Sequence, residues 1–175
     1  MLRGLRIGVL AICSSLTAWS ACAQVLDVTP LPEATWSEPG SISYLQNEHA
    51  KSLYSAGEYA EAKTIWQGLA EYGNLESINN LGVYYREGKA VPADYEKVVI
   101  YWQQAAEKNF TPSLMNLAGL YEEGFPGHPS DLRKAFETYV LAARAGDEKG
   151  AFKAANMVFR GEGVVANFAD GHRLL

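Results

Sequence analysis

Three histidines, His49, His128 and His172, and two cysteines, Cys13 and Cys22, are the side chains here best suited to hold a metal or to attack a substrate. A structural zinc needs four such ligands, grouped at short regular spacings. No histidine has a second ligand at such a spacing, so no metal site is expected. Neither a Gly-x-Ser-x-Gly nor a His-Glu-x-x-His pattern occurs. Acidic pairs such as Glu122-Glu123 are adjacent on a helical stretch and point in different directions, so they do not converge on one substrate. Gly161-Glu162-Gly163 lacks a third glycine and follows a helical pattern rather than a strand, which makes it a turn and not a phosphate loop. Asn109-Phe110-Thr111 matches a glycosylation sequon, but Asn109 sits where Gly146 sits one repeat later, a turn position that wants left-handed backbone. His49 is expected to be a partly buried structural residue, and His128 and His172 to face solvent. No catalytic residue and no cofactor is expected, and the chain is not read as an enzyme.

The chain has 175 residues, a formal charge of −5 and 48% hydrophobic residues, a globular composition suited to one domain or one short repeat array. Residues 1–23 read as an export signal peptide. Arg3 and Arg6 give a positive start, Ile7 to Trp19 is mostly apolar but short for a bilayer span, and Ala21-Cys22-Ala23 offers a small-x-small cleavage pattern. Ser20-Ala21-Cys22 also resembles the end of a bacterial lipobox, which would make Cys22 a lipidation site. Trp19 stands where that motif usually has a leucine-like residue, which favours ordinary cleavage. Cleavage after Ala23 takes the charge from −5 to −7 and removes both cysteines. The expected location is therefore periplasmic or secreted, with lipid anchoring at Cys22 as the alternative. An acidic mature chain argues against nucleic acid as a partner.

Residues 24–42 carry Pro30, Pro32 and Pro39, and read as an extended linker. Helical periodicity begins after it and repeats. Leu81-Gly82, Tyr85 and Gly88 recur as Leu117-Ala118, Tyr121 and Gly124, shifted by 36. Asp94, Lys97, Trp102, Ala105 and Ala106 recur as Asp131, Lys134, Tyr139, Ala142 and Ala143, shifted by 37. The extra residue falls in the loop. Ile78, Leu81 and Tyr85 make one helical stripe. Gly88 is expected to end that helix in left-handed backbone, and Asp94 to cap the next. The second helix should bury Val98, Tyr101 or Trp102, Ala105 and Ala106. Gly82 and Ala118 let helices approach closely, and a large aromatic at 102 or 139 fills the space beyond. Each pair leaves an apolar face for its neighbours, so the units stack. The units expected are about 43–74, 75–111, 112–147 and an incomplete 148–175, within a domain of residues 43–175. Its ragged end suggests weak self-association.

The pattern Leu-Gly-x-x-Tyr-x-x-Gly, a loop, Asp-x-x-Lys, then Trp-x-x-Ala-Ala-x-x-Asn resembles the Sel1-like repeat, a relative of the tetratricopeptide repeat. Residues 47–74, with Gly57, Tyr59 and Ala62 and no extra loop, resemble a plain tetratricopeptide unit. The usual Gly-x-Gly-Val after the first helix appears only at Gly161-Glu162-Gly163-Val164, so the earlier loops should differ in shape. The resemblance implies an all-α, right-handed solenoid of antiparallel helix pairs. It also implies a protein or peptide partner held on the concave face of the first helices. Transferred position by position, it points to Asn47, Lys51, Asn79, Val83, Arg86, Met115, Glu122, Asn156 and Phe159. The alternatives are a structural part of an envelope assembly and a β-lactam-binding or hydrolysing protein. Relatives tied to β-lactams carry paired cysteines that the mature part of this chain lacks.

Overall fold

The computed structural model describes residues 40–164, which fall within one compact unit. The expected signal peptide, Cys13, Cys22, almost all of the expected linker, His172 and the end of the expected last unit lie outside the described residues. Among the described residues seven helices follow one another: α1 (Ile42–Ala56), α2 (Tyr59–Glu71), α3 (Leu75–Glu87), α4 (Tyr95–Ala106), α5 (Thr111–Glu123), α6 (Leu132–Arg144) and α7 (Glu148–Arg160). Each packs on the next in the chain. The result is an all-α solenoid in which α1, α3, α5 and α7 are first helices and α2, α4 and α6 are second helices.

Local chemistry sets the helix ends. Asn74, Asp94, Asp131 and Asp147 each accept a hydrogen bond from the backbone N–H three residues on, satisfying one of the donors a helix start leaves open. Gly88 ends α3 in left-handed backbone, at φ 62° and ψ 26°, and Asn109 adopts φ 58°, as their turn positions require.

The expected core stripe is present. Ile78, Leu81 and Tyr85 are buried on α3, and Val98, Trp102 and Ala105 on α4. Between Tyr101 and Trp102 it is the tryptophan that is fully enclosed. The aromatics at 66, 102 and 139 play matching parts, since each reaches back to the first helix of its own pair. Trp66 Nε1 donates to Asn47 Oδ1 at 3.0 Å, Trp102 Nε1 to the Asn79 carbonyl at 3.1 Å, and Tyr139 Oη to Glu122 Oε2 at 2.6 Å. The residue beneath each ring explains the differences. A Cβ on Gly82 would lie 2.2 Å from Trp102 Nε1, so the indole rests directly on the α3 backbone and finds a carbonyl. Ala50 and Ala118 hold the same position in α1 and α5, and there the ring polar groups find side chains instead. Gly82 therefore makes room for a ring, whereas Gly150 serves close helix approach, a Cβ there lying 2.8 Å from that of Ala142.

His49 departs from expectation. It aligns with buried Leu81, yet it is exposed, while its neighbour Ala50, the counterpart of Gly82, is buried. Leu81 lies in a cluster with Trp66 of the preceding pair. No described pair precedes α1, and Ile42 (71% exposed) and Leu45 (57%) lie with His49 on one uncovered stripe.

Candidate functional site

The nine residues assigned to the first-helix face divide on burial. Asn47 is fully buried and Asn79 is 8% exposed, so neither belongs to an accessible binding surface. They form a polar seam between successive first helices. Asn47 Oδ1 accepts from Ser77 Oγ at 3.2 Å and Asn80 Nδ2 at 3.2 Å. One repeat later, Asn79 Oδ1 accepts from Ser113 Oγ at 3.0 Å and Asn116 Nδ2 at 2.9 Å. The misplacement has a physical reason: helical spacing puts Asn79 in line with Val83 and Arg86, but the next helix lies over its end of that line. The signal for the seam was the recurrence of Ser77 and Asn80 as Ser113 and Asn116. Asn47 Nδ2 is buried with no hydrogen-bond partner, the cost of turning the oxygen towards three donors.

The seam ends after two rungs. On α5 the acceptor position is Met115, and on α7 the donor positions are Gly150 and Lys153. Lys153 reaches Glu122 instead, at 3.1 Å, beside the Tyr139 hydroxyl. Partial burial pushes the Glu122 carboxyl upward, but the Tyr139 hydroxyl and Lys153 outweigh it and hold the group below its ordinary range. Burial, then the Glu122 charge, raise the Tyr139 phenol well above its usual value.

Three more of the nine therefore lace repeats together. Lys51 pairs with Glu48 at 2.7 Å and with Glu76 across to α3. Arg86 pairs with Glu123 at 3.4 Å across to α5 and lies over the Trp102 ring. Glu122 joins α5 to α7. Such half-exposed pairs add little stability singly, but together they fix the charges on this face before any partner arrives. Val83, Met115, Asn156 and Phe159 remain partly buried beside them. Between Val83 and Asn156, in the same column, stands Gly119. A Cβ there would touch nothing nearer than Tyr139 Oη at 4.0 Å, so the middle of the first-helix face is an open notch.

A second concavity lies at the loops. The loop after α5 is one residue longer than its counterpart, and Phe125 and His128 pair across it as an isolated antiparallel bridge. Pro126 and Gly127 form the turn, with Gly127 at φ 81°, the combination a type II turn favours. Phe125 stacks on Tyr95 of the preceding repeat at 5.7 Å, and His128 on Phe125 at 4.5 Å. These rings, with Tyr85, wall a cavity of about 570 Å³. Among the described residues no cluster of side chains is arranged to hold a metal ion.

The Sel1 repeat family matches residues 75–110 and 111–147. The chain carries two Sel1 repeats. They are the pairs α3–α4 and α5–α6, the units in which ring, cap and seam recur. Two solved structures share the Sel1-repeat architecture. A Sel1 repeat protein from Oxalobacter formigenes superposes with a TM-score of 0.63 at 25% identity, over 74% of this chain and 51% of that one. A protective antigen of uropathogenic Escherichia coli with the SLR fold gives 0.67 at 25% identity, over 90% of this chain. This chain spans 31% of that antigen's length. No curated protein matches by sequence. No described helix is long and apolar enough to cross a membrane.

Proposed function

We propose that the chain is an exported, non-enzymatic scaffold that holds a protein partner across its first-helix face. The observation that carries the reading is the notch at Gly119, an unfilled position flanked by Val83, Met115 and Asn156 and bordered by charges already paired. A surface whose side chains are held in place loses little entropy on binding, so a modest contact area suffices. Sel1-type arrays are protein-interaction scaffolds, and the signal-like residues 1–23 support a partner in the periplasm or outside the cell.

Capture from envelope extract tests it with three forms: wild type, Gly119→Ala and Gly119→Arg. The alanine leaves the notch open and should keep a stoichiometric partner, whereas the arginine should fill the notch and lose it. An arginine variant that folds by circular dichroism and captures as well as wild type would overturn the reading. The Ser20-Ala21-Cys22 sequence supports a second reading, a lipid-anchored part of an envelope assembly. Mass spectrometry of the exported form separates the two, since a lipidated Cys22 and a free Gln24 differ in mass. A chromogenic β-lactam assay tests the absence of hydrolase activity.

A further inference from the structure

The loop cavity is distinct from the first-helix face, and its lining is chemically uneven. Two ammonium groups share the Tyr85 ring: Lys97 Nζ lies 4.9 Å from its centroid and Lys63 Nζ 5.6 Å. Tyr101 stacks behind Tyr85 at 5.7 Å and holds it upright. The two lysines differ in one respect. Lys97 is neutralised by Asp94, at 2.6 Å. Lys63 lies over the faces of Tyr84 and Tyr85 and forms no ion pair among the described residues. Tyr95 and Phe125, stacked on each other, line the same cavity, as does exposed Glu96. The lining thus combines a cation without a counter-ion with an aromatic pair.

We propose that this cavity binds an acidic, aromatic peptide segment of a protein partner, its carboxylate on Lys63 and its ring against Tyr95 and Phe125. The volume lies within the range of ligand pockets and accommodates two side chains. A carboxylate here would meet an ammonium that already borders two ring faces, a site with less water to displace than an open surface offers. Lys134 repeats the arrangement over Tyr121 at 5.6 Å, but the position matching Lys63 there is Val99, so the second repeat lacks the uncompensated charge. Phe125 stands in the longer loop after α5, at the place that Lys89 holds in the first loop, so the site depends on a residue the first loop lacks.

The test is an NMR titration of the isotope-labelled full chain with acetyl-Glu-Phe-Glu-Phe-amide. Parallel titrations use the same peptide with lysine for glutamate and with glycine for phenylalanine. The expected result is saturable shifts at Lys63, Tyr85, Tyr95 and Phe125 with the first peptide only. Lys63→Ala should weaken binding at least fivefold, Lys63→Arg should retain it, and Glu96→Gln should tighten it about twofold. Gly119→Arg, on the other face, should leave it unchanged, so that failure of the scaffold reading and failure of this one are told apart. No saturable shift, equal response to the lysine peptide, or shifts at the first-helix face instead would each overturn the proposal.

Discussion

Gly82→Ala adds one methyl group at the point where Trp102 lies against α3. The added Cβ would stand 2.2 Å from the indole nitrogen and 2.5 Å from Cδ1, where ordinary contact begins at 3.4 Å. Trp102 is fully buried, so the ring has to retreat into a close-packed interior. Two costs follow. Overpacking of a close-packed site costs about 1–3 kcal/mol. Pulling Nε1 away from the Asn79 carbonyl, now 3.1 Å distant, strands a buried donor for about 1–3 kcal/mol more. Against these stands the gain from replacing glycine within a helix, about 1 kcal/mol. The net expectation is destabilisation by about 1–5 kcal/mol, read as a lowered urea midpoint at unchanged slope. Gly119→Ala is the control, because the same substitution on the next helix meets open space and should stabilise by roughly 0.5–1 kcal/mol. Pairing Gly82→Ala with Trp102→Tyr copies the Ala118 and Tyr139 combination and should recover part of the loss. Recovery stays incomplete because Arg86 occupies the place of Glu122, the acceptor that Tyr139 uses. A neutral or stabilised Gly82→Ala variant would refute the account of how ring and helix fit.

The remaining predictions concern the seam, the charge cluster and a turn. Asn79→Ala removes the acceptor of Ser113 and Asn116, of which Ser113 is fully buried, and should cost about 1–3 kcal/mol in chemical denaturation. Glu122 titrates lower in the folded chain than its ordinary value of 4.5, so its contribution is fully present above that value and is lost as pH falls through the lower folded one. The urea midpoint of Glu122→Gln should therefore fall less on acidification than that of wild type, though not level out, since Glu87, Asp94 and Asp131 are lowered in the same sense. Asn109→Ala places a Cβ-bearing residue without a local amide at φ 58° and should destabilise by about 1 kcal/mol, while Asn109→Gly should not, as thermal melts of the pair would show.

Repetition made much of this protein legible in one dimension. The shift of 36 or 37 residues located the helix pairs, and the side chains at the recurring positions carried their own instructions. Glycine at 88 permits left-handed backbone, aspartate at 94 caps a helix, and leucine at 81 must be covered. These are local rules with short reach, so they survive without coordinates. The same rules failed on α1, where His49 inherits the position of Leu81 but not the neighbour that would bury it. They also failed on the first-helix face. Asn47 and Asn79 look like outward residues on a helical projection, because a projection shows one helix and not the next one lying across it. Only the stacking of first helix on first helix turned these amides inward, and only the stacking turned Lys51, Arg86 and Glu122 towards partners in adjoining repeats. The extra loop residue was visible as an insertion. That the longer loop lays Phe125 onto Tyr95 and lines an open cavity beside Lys63 was decided by the distance between two successive loops, a quantity that exists only once the repeats have packed.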